Sequence, residues 1–374
     1  MRIRLSKFLC SVLLLSTVGA ILLATPASAA GTSWRTRADA AYTALQKYFY
    51  ADGFYREKYP VQDGDNPYSF AWTLREAAAN LDLHREMSAP FTALESYWDT
   101  ARTPPGYDSY PGGGDLFYDD NSVIGLELVR RYLLTGDRVM LHRAERVFPV
   151  VVSGWDTDPT HPCAGGLHWT QAGWNTIKAT NATGLAAELA AHLYELTRSP
   201  SYLTWAERLY QWNRTCTRAS DGLYYNSIDF QGTVDKTLWI YNSGSMIGAA
   251  TLLFRATGDA GYLRRARADA AGAAAYWTAE RTYDQPAIFD AIYFKNLLLL
   301  DSIAPNPAYR QAMSAYAEQI WQHNRDPETG LFRFQPSGGG AYDPAARAET
   351  LEQSAAVQVF ALLSWNPRDY RFSA

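Results

Sequence analysis

The sequence predicts an all-α protein, an (α/α)6 toroid of six helical hairpins, on three observations. Ala, Leu and Arg recur at helical spacing along most of the chain, and clean alternating strands are scarce. A hairpin repeat runs through it: Thr135-Gly136-Asp137, Thr197-Arg198-Ser199 and Thr257-Gly258-Asp259 each join two helical stretches, at steps of 62 and 60 residues. Some stretches are apolar all round and others carry a charged face, which separates a buried inner layer from an outer one.

Twelve helices are expected, at 34–51, 70–87, 90–101, 120–134, 137–150, 178–197, 200–217, 238–256, 259–278, 288–302, 307–324 and 347–364. The fourth and eighth end at Gly136 and Gly258, which suit the close of a helix. The fifth and ninth open at Asp137 and Asp259, which suit an N-cap. The eighth has no charged residue from Trp239 to Phe254, and the twelfth none from Gln353 to Trp365, so both are inner helices. The ninth carries Arg264, Arg265, Arg267 and Asp269 and lies outside. Short connections follow the second, fourth, sixth, eighth and tenth helices. Long ones, at 52–69, 102–119, 151–177, 218–237, 279–287 and 325–346, precede those five and the twelfth. In an up-down array all the long connections then fall at one end, and long loops in a compact domain are usually functional. With no Pro/Ser-rich linker or abrupt change of composition, residues 30–374 read as one domain.

Residues 1–29 read as a secretory signal peptide: Arg2, Arg4 and Lys7, an apolar run from Phe8 to Leu23, and small residues at Ala27-Ser28-Ala29. An uncleaved anchor is the other reading, but the run falls short of the ~20 residues of a spanning helix and ends at Pro26. Cleavage removes three basic residues and no acidic one, taking the net charge from −4 to −7. A nucleic-acid groove would normally carry a basic excess, so that partner is not expected. Cys10 leaves with the leader. Cys163 and Cys216 remain as a possible disulfide in an exported protein, or as two separate buried thiols.

The chain holds 12 Trp, 25 Tyr and 15 Phe. Many fill the core, but others recur beside amides, carboxylates and lysines where inner helices begin: Trp72, Tyr118-Asp119-Asp120-Asn121, Lys178 and Asn181, Tyr241-Asn242, Phe289-Asp290. A flat ring next to hydrogen-bonding groups suits a sugar; each start taken singly also reads as helix capping plus core. Asp119-Asp120 is the sharpest of these, because hydrolysis of a glycosidic bond commonly takes one protonated and one ionised carboxyl. Mutual repulsion favours a shared proton, while the positive end of the helix favours ionisation. Neighbouring residues of a regular helix do not face each other, so both reach one substrate only at a loop-to-helix junction. The Pro111-Gly112-Gly113-Gly114 loop upstream makes room for one. An N-cap with a helix-dipole charge is the alternative.

No GxSxG elbow, HExxH or phosphate-loop ending occurs, and Gly338-Gly339-Gly340 reads as a loop. Asp63-Gly64-Asp65-Asn66 lacks the spacing of a calcium loop. The six histidines show no metal spacing; His168, in a loop on the loop-bearing face, is placed to touch a ligand, and the others read as structural. No metal and no cofactor are expected.

Together these residues resemble glycoside hydrolase family 76, the α-1,6-mannanases. The resemblance rests on Tyr118-Asp119-Asp120-Asn121 and on Gly165-Gly166-Leu167-His168-Trp169 leading to Lys178 and Asn181. It also rests on Tyr241-Asn242-Ser243-Gly244-Ser245-Met246-Ile247-Gly248 followed by Arg255-Ala256-Thr257-Gly258-Asp259. It implies an (α/α)6 fold and a secreted, retaining endo-α-1,6-mannanase that needs no metal, with Asp119 as nucleophile and Asp120 as general acid/base. Trp72, Tyr118, Asn121, Lys178, Asn181, Tyr241 and Asn242 are the expected sugar contacts. Ser122-Val123 stand where many relatives carry an aromatic, which bears on a subsite rather than on the reaction class. The expected partner is an α-1,6-linked mannan or mannooligosaccharide, bound by a monomer with no membrane attachment after signal cleavage. Two rivals remain, a transglycosidase on the same site and a non-catalytic glycan-binding protein; a sugar epimerase would want histidines at the inner-helix starts, which contain none.

Overall fold

A computed structural model describes residues 33–78, 88–219, 223–335 and 342–373. The expected leader with Cys10, the far part of the second expected helix and the Gly338-Gly339-Gly340 loop lie outside these residues.

The helices run α1 (Trp34–Phe49), α2 (Ala71–Ala78), α3 (Ser88–Leu94), α4 (Tyr118–Thr135), α5 (Arg138–Ser153), α6 (Thr180–Thr197), α7 (Pro200–Cys216), α8 (Ile240–Thr257), α9 (Ala260–Tyr276), α10 (Ala279–Tyr283), α11 (Ala287–Asp301), α12 (Pro307–His323) and α13 (Thr350–Ser364). Packing closes a ring: α2 on α4, α4 on α6, α6 on α8, α8 on α11, α11 on α13, and α13 back on α2. A second layer covers it, with α3, α5, α7, α9 and α12 each packed on the inner helix before it, and α1 on α13. This is the (α/α)6 arrangement, with the two ends of the chain forming the sixth hairpin.

Sequence explains the layering. All residues of α6 from Thr180 to Leu193 and of α8 from Ile240 to Leu253 are buried, as expected of helices apolar all round. In α9 only Gly261, Ala266, Asp269, Ala270 and Ala273 are buried, one stripe of an outer helix. Gly136 and Gly258 both end their helices at φ 74°. Asp137 and Asp259 cap the next ones, accepting from the backbone N–H of Val139 and Gly261.

Two elements differ from expectation. The helix expected over 90–101 stops at Leu94. A 3-10 turn, Glu95–Tyr97, follows, and then Trp98–Asp99 pairs with Gly106–Tyr107. Tertiary contacts decide this: Tyr97 donates its hydroxyl to Ser69 O at 2.8 Å, and Trp98 packs edge-on to Tyr107. The connection 279–287 contains the extra helix α10, capped by Thr278.

The long connections are stitched to one another. Ala71 N donates to Ser109 O, Tyr118 N to Trp169 O, Ile240 N to the Gln285 side chain, and Thr350 N to Glu57 O. Ile177–Ala179 pairs with Tyr225–Asp229, and Lys58–Tyr59 with Ala348–Glu349. They therefore gather around the starts of the inner helices. No described helix is long and apolar enough to cross a membrane.

Candidate active site

A cleft of about 350 Å³ opens at this end of the ring. Asp119 and Asp120 both line it, from the first turn of α4. Phe117 precedes them with extended backbone (φ −102°, ψ 134°), so the pair sits at a loop-to-helix junction.

The two carboxyl groups live in different surroundings. Asp119 Oδ2 accepts from Asn181 Nδ2 at 2.6 Å and from Trp169 Nε1 at 3.0 Å, while its Oδ1 accepts from Asp120 N at 3.1 Å. Burial pushes Asp119 up to about 6, against the pull of these three donors toward the ionised form. Burial also raises Asp120, and the neighbouring charges of Asp119 and then Glu57 add to it, leaving Asp120 well above the usual carboxylate range. Of the two, Asp119 is the better carboxylate and Asp120 the better acid.

Aromatic rings form the rest of the wall. Tyr241 lies flat on Phe289, with centroids 3.9 Å apart and planes at 2°. Trp72 is nearly parallel to Phe289 at 6.2 Å, and Trp239 meets its edge at 5.6 Å. The stack depends on close approach of α8 and α11. A Cβ on Gly244, one turn below Tyr241, would lie 2.7 Å from Tyr293 Cα, one turn below Phe289. Trp72 is fixed from beneath, where its Nε1 donates to Glu76 Oε1 at 3.0 Å. Glu76 is fully buried; burial works against its charge, but Arg75, Lys295, Gln358 and Trp72 hold it ionised at about 2.

Trp72, Asn181 and Tyr241 of the expected contacts line the cleft with the two aspartates. Tyr118, Asn121, Lys178 and Asn242 do not line it, and each is a neighbour of a residue that does or that leads into the pair. Tyr118 turns away from the cleft against Gly154, its hydroxyl on Ser153. Asn121 is rotated about 100° from Asp120 by the helix; it bonds both backbone groups of Tyr107 at 3.0 Å. Lys178 sits between Ile177 and Ala179, which line the cleft, so strand alternation sends it to the other side. There it is fully buried, donating to Pro162 O and Cys163 O and lying 3.2 Å from Asp156. Asn242 follows Tyr241 and is buried in the packing of α8.

Sequence reading did not select Trp169, Asn226, Trp239 or Phe289, nor the apolar lining residue Val123. Trp239 and Phe289 stood at flagged helix starts and Trp169 in a flagged loop; Asn226 lies on a strand with no local signal. Of Ser122-Val123, Val123 lines the cleft, whereas Ser122 is fully buried and donates its hydroxyl to Tyr118 O at 2.7 Å. Cys163 and Cys216 are bonded, Cα atoms 6.0 Å apart, tying the loop that bears Trp169 to the end of α7. His168 packs against Phe230, near Asp156. Among the described residues no cluster of three or more His, Cys, Asp or Glu is placed to hold a metal ion. A larger cavity, about 490 Å³, lies among α9, α11 and α12, but no carboxylate lines it.

Two carboxyl groups lining one aromatic-walled cleft on an (α/α)6 barrel are an arrangement that suits a glycoside hydrolase. The family model of glycosyl hydrolase family 76 matches residues 33–369, and the chain belongs to that family. It is similar to a family 76 glycoside hydrolase from a bovine Bacteroides thetaiotaomicron strain, 25% identical, with a TM-score of 0.78 over 89% of this chain and 78% of that one. An inactive variant of the Salegentibacter α-1,6-mannanase, with two consecutive aspartates replaced by asparagine and α-1,6-mannotriose bound, shares the fold at a TM-score of 0.72. It is 21% identical, over 89% of this chain and 100% of that one. The mannan endo-1,6-alpha-mannosidase DCW1 of Candida glabrata is 33% identical over 128 residues, which is 32% of this chain and only 28% of that relative's length.

Proposed function

We propose that this protein is an exported, retaining endo-α-1,6-mannanase. Asp119 attacks the anomeric carbon of the mannose in the −1 subsite while Asp120 protonates the departing glycosidic oxygen. The C–O bond to the leaving chain breaks as the bond to Asp119 Oδ forms, giving a covalent mannosyl-enzyme. Asp120, now ionised, takes a proton from water, the hydroxide oxygen displaces Asp119, and the bound mannosyl chain leaves with its new reducing end in the original anomeric configuration. The observation that carries the assignment of roles is the asymmetry of the pair. Asp119 accepts three hydrogen bonds that favour its charge, whereas Asp120 faces that charge and keeps its proton.

The substrate class is supported by the Salegentibacter relative, which holds an α-1,6-mannotriose, and by the name of the Candida relative. Export is supported by the basic and apolar start ending at Ala27-Ser28-Ala29. Asp119→Asn and Asp120→Asn, each tested on unbranched α-1,6-mannan with circular dichroism as a check on folding, should each lose activity by roughly three orders of magnitude. Full activity in either folded variant would overturn the reading.

A further inference from the structure

Trp174 is a large aromatic residue on the surface, with 56% of its area exposed. Single exposed apolar residues are ordinary on soluble proteins. This one is held in place. Its Nε1 donates to Asp115 Oδ2 at 3.0 Å, so its polar edge is satisfied. Trp169 meets it edge-on with centroids 5.9 Å apart, and Phe117 lies at 6.3 Å. The loop beneath is pinned to the stretch before α4: Gln171 N and Thr170 Oγ1 both donate to Leu116 O, and Arg102 bonds the Gln171 side chain. An exposed ring immobilised on three sides costs little further ordering when a ligand lies on it.

Its place is continuous with the cleft. Trp169, its neighbour, lines the cleft and donates to Asp119. Trp174 therefore continues the aromatic surface beyond Trp169, the ring that donates to Asp119. A ring face there suits the apolar C–H face of a pyranose.

We propose that Trp174 is an outer platform of the same cleft, stacking a mannosyl unit beyond those flanking the scissile bond and so setting a preference for longer chains. This rests on the α-1,6-mannanase reading. The test compares kcat/KM for α-1,6-mannotriose and α-1,6-mannohexaose in wild type, Trp174→Ala and Trp174→Phe. The hexaose-to-triose ratio should fall roughly three- to tenfold in Trp174→Ala, the span of one aromatic contact, and largely recover in Trp174→Phe. An unchanged ratio overturns the platform. Calorimetric binding of mannohexaose to Asp120→Asn, with and without Trp174→Ala, separates the two claims. Weaker binding without Trp174, in a protein whose wild type cleaves neither sugar, keeps the platform and removes the hydrolase reading. Cleavage by wild type with binding indifferent to Trp174 does the reverse.

Discussion

Asn181 donates its side-chain amide to Asp119 Oδ2 at 2.6 Å, joining the starts of two adjacent inner helices. Asn181→Ala removes that donor but leaves those from Trp169 and the Asp120 backbone. Asp119 then becomes harder to ionise, so the acidic limb of the kcat/KM profile moves to higher pH. At neutral pH the rate falls by about 10²-fold, the usual scale for one preorganised donor. A pH–rate profile checks both effects.

The same pair should cost stability. Asp119 titrates in the folded chain at about 6, above its ordinary value, so its contribution is intact at low pH and is lost as pH rises from about 4 to 6. Asp120, raised further by burial and by Asp119, acts in the same direction at higher pH. Asp119→Asn and Asp120→Asn should therefore melt higher than wild type at pH 7.5, by about 2 °C, and at nearly the same temperature at pH 4. Thermal melts at the two pH values measure this.

Glu76 works with the opposite sign. It stays ionised in the core at about 2, so the stability it contributes is present above about 4.5 and is lost as pH falls toward 2. Glu76→Ala strands the charge of Arg75, shifts Lys295, which burial already lowers to about 7, further toward its neutral form, and frees Trp72; it should cost about 3 kcal/mol at pH 7. Glu76→Gln keeps an acceptor for Trp72 Nε1. It should hold KM closer to wild type than Glu76→Ala while flattening the acid limb of stability. Urea melts across pH, read beside KM, distinguish the two.

Gly244 sets how near α8 comes to α11. A methyl there meets the Tyr293 backbone, which cannot rotate aside, so Gly244→Ala should destabilise by about 1–3 kcal/mol. It should also weaken oligosaccharide binding by parting Tyr241 from Phe289. Denaturant unfolding and calorimetric titration test the two parts.

The fold was legible because its strongest signals are local. A helix uncharged from Trp239 to Phe254 has nowhere to go but the interior, and a Gly-Asp pair marks both the close of one helix and the cap of the next. The Asp119-Asp120 pair was legible as two adjacent carboxylates at a helix start, and both line the cleft. Side-chain direction was harder to read. Tyr118, Asn121, Lys178 and Asn242 stand beside residues of the cleft, yet a step of one residue turns a side chain about 100° on a helix and to the other face on a strand. Trp169 and Asn181 reach Asp119 from 50 and 62 residues away, a closeness that only the assembled ring creates.

Double displacement through Asp119 would retain the anomeric configuration of the cleaved mannoside. Its most direct test is proton NMR during the first minutes of cleavage of unbranched α-1,6-mannan, before mutarotation mixes the anomers, with the products sized alongside. Double displacement predicts internal cleavage into oligomannosides whose new reducing ends appear first as the α anomer. First appearance of the β anomer would mean direct attack by water and would contradict the nucleophilic role of Asp119.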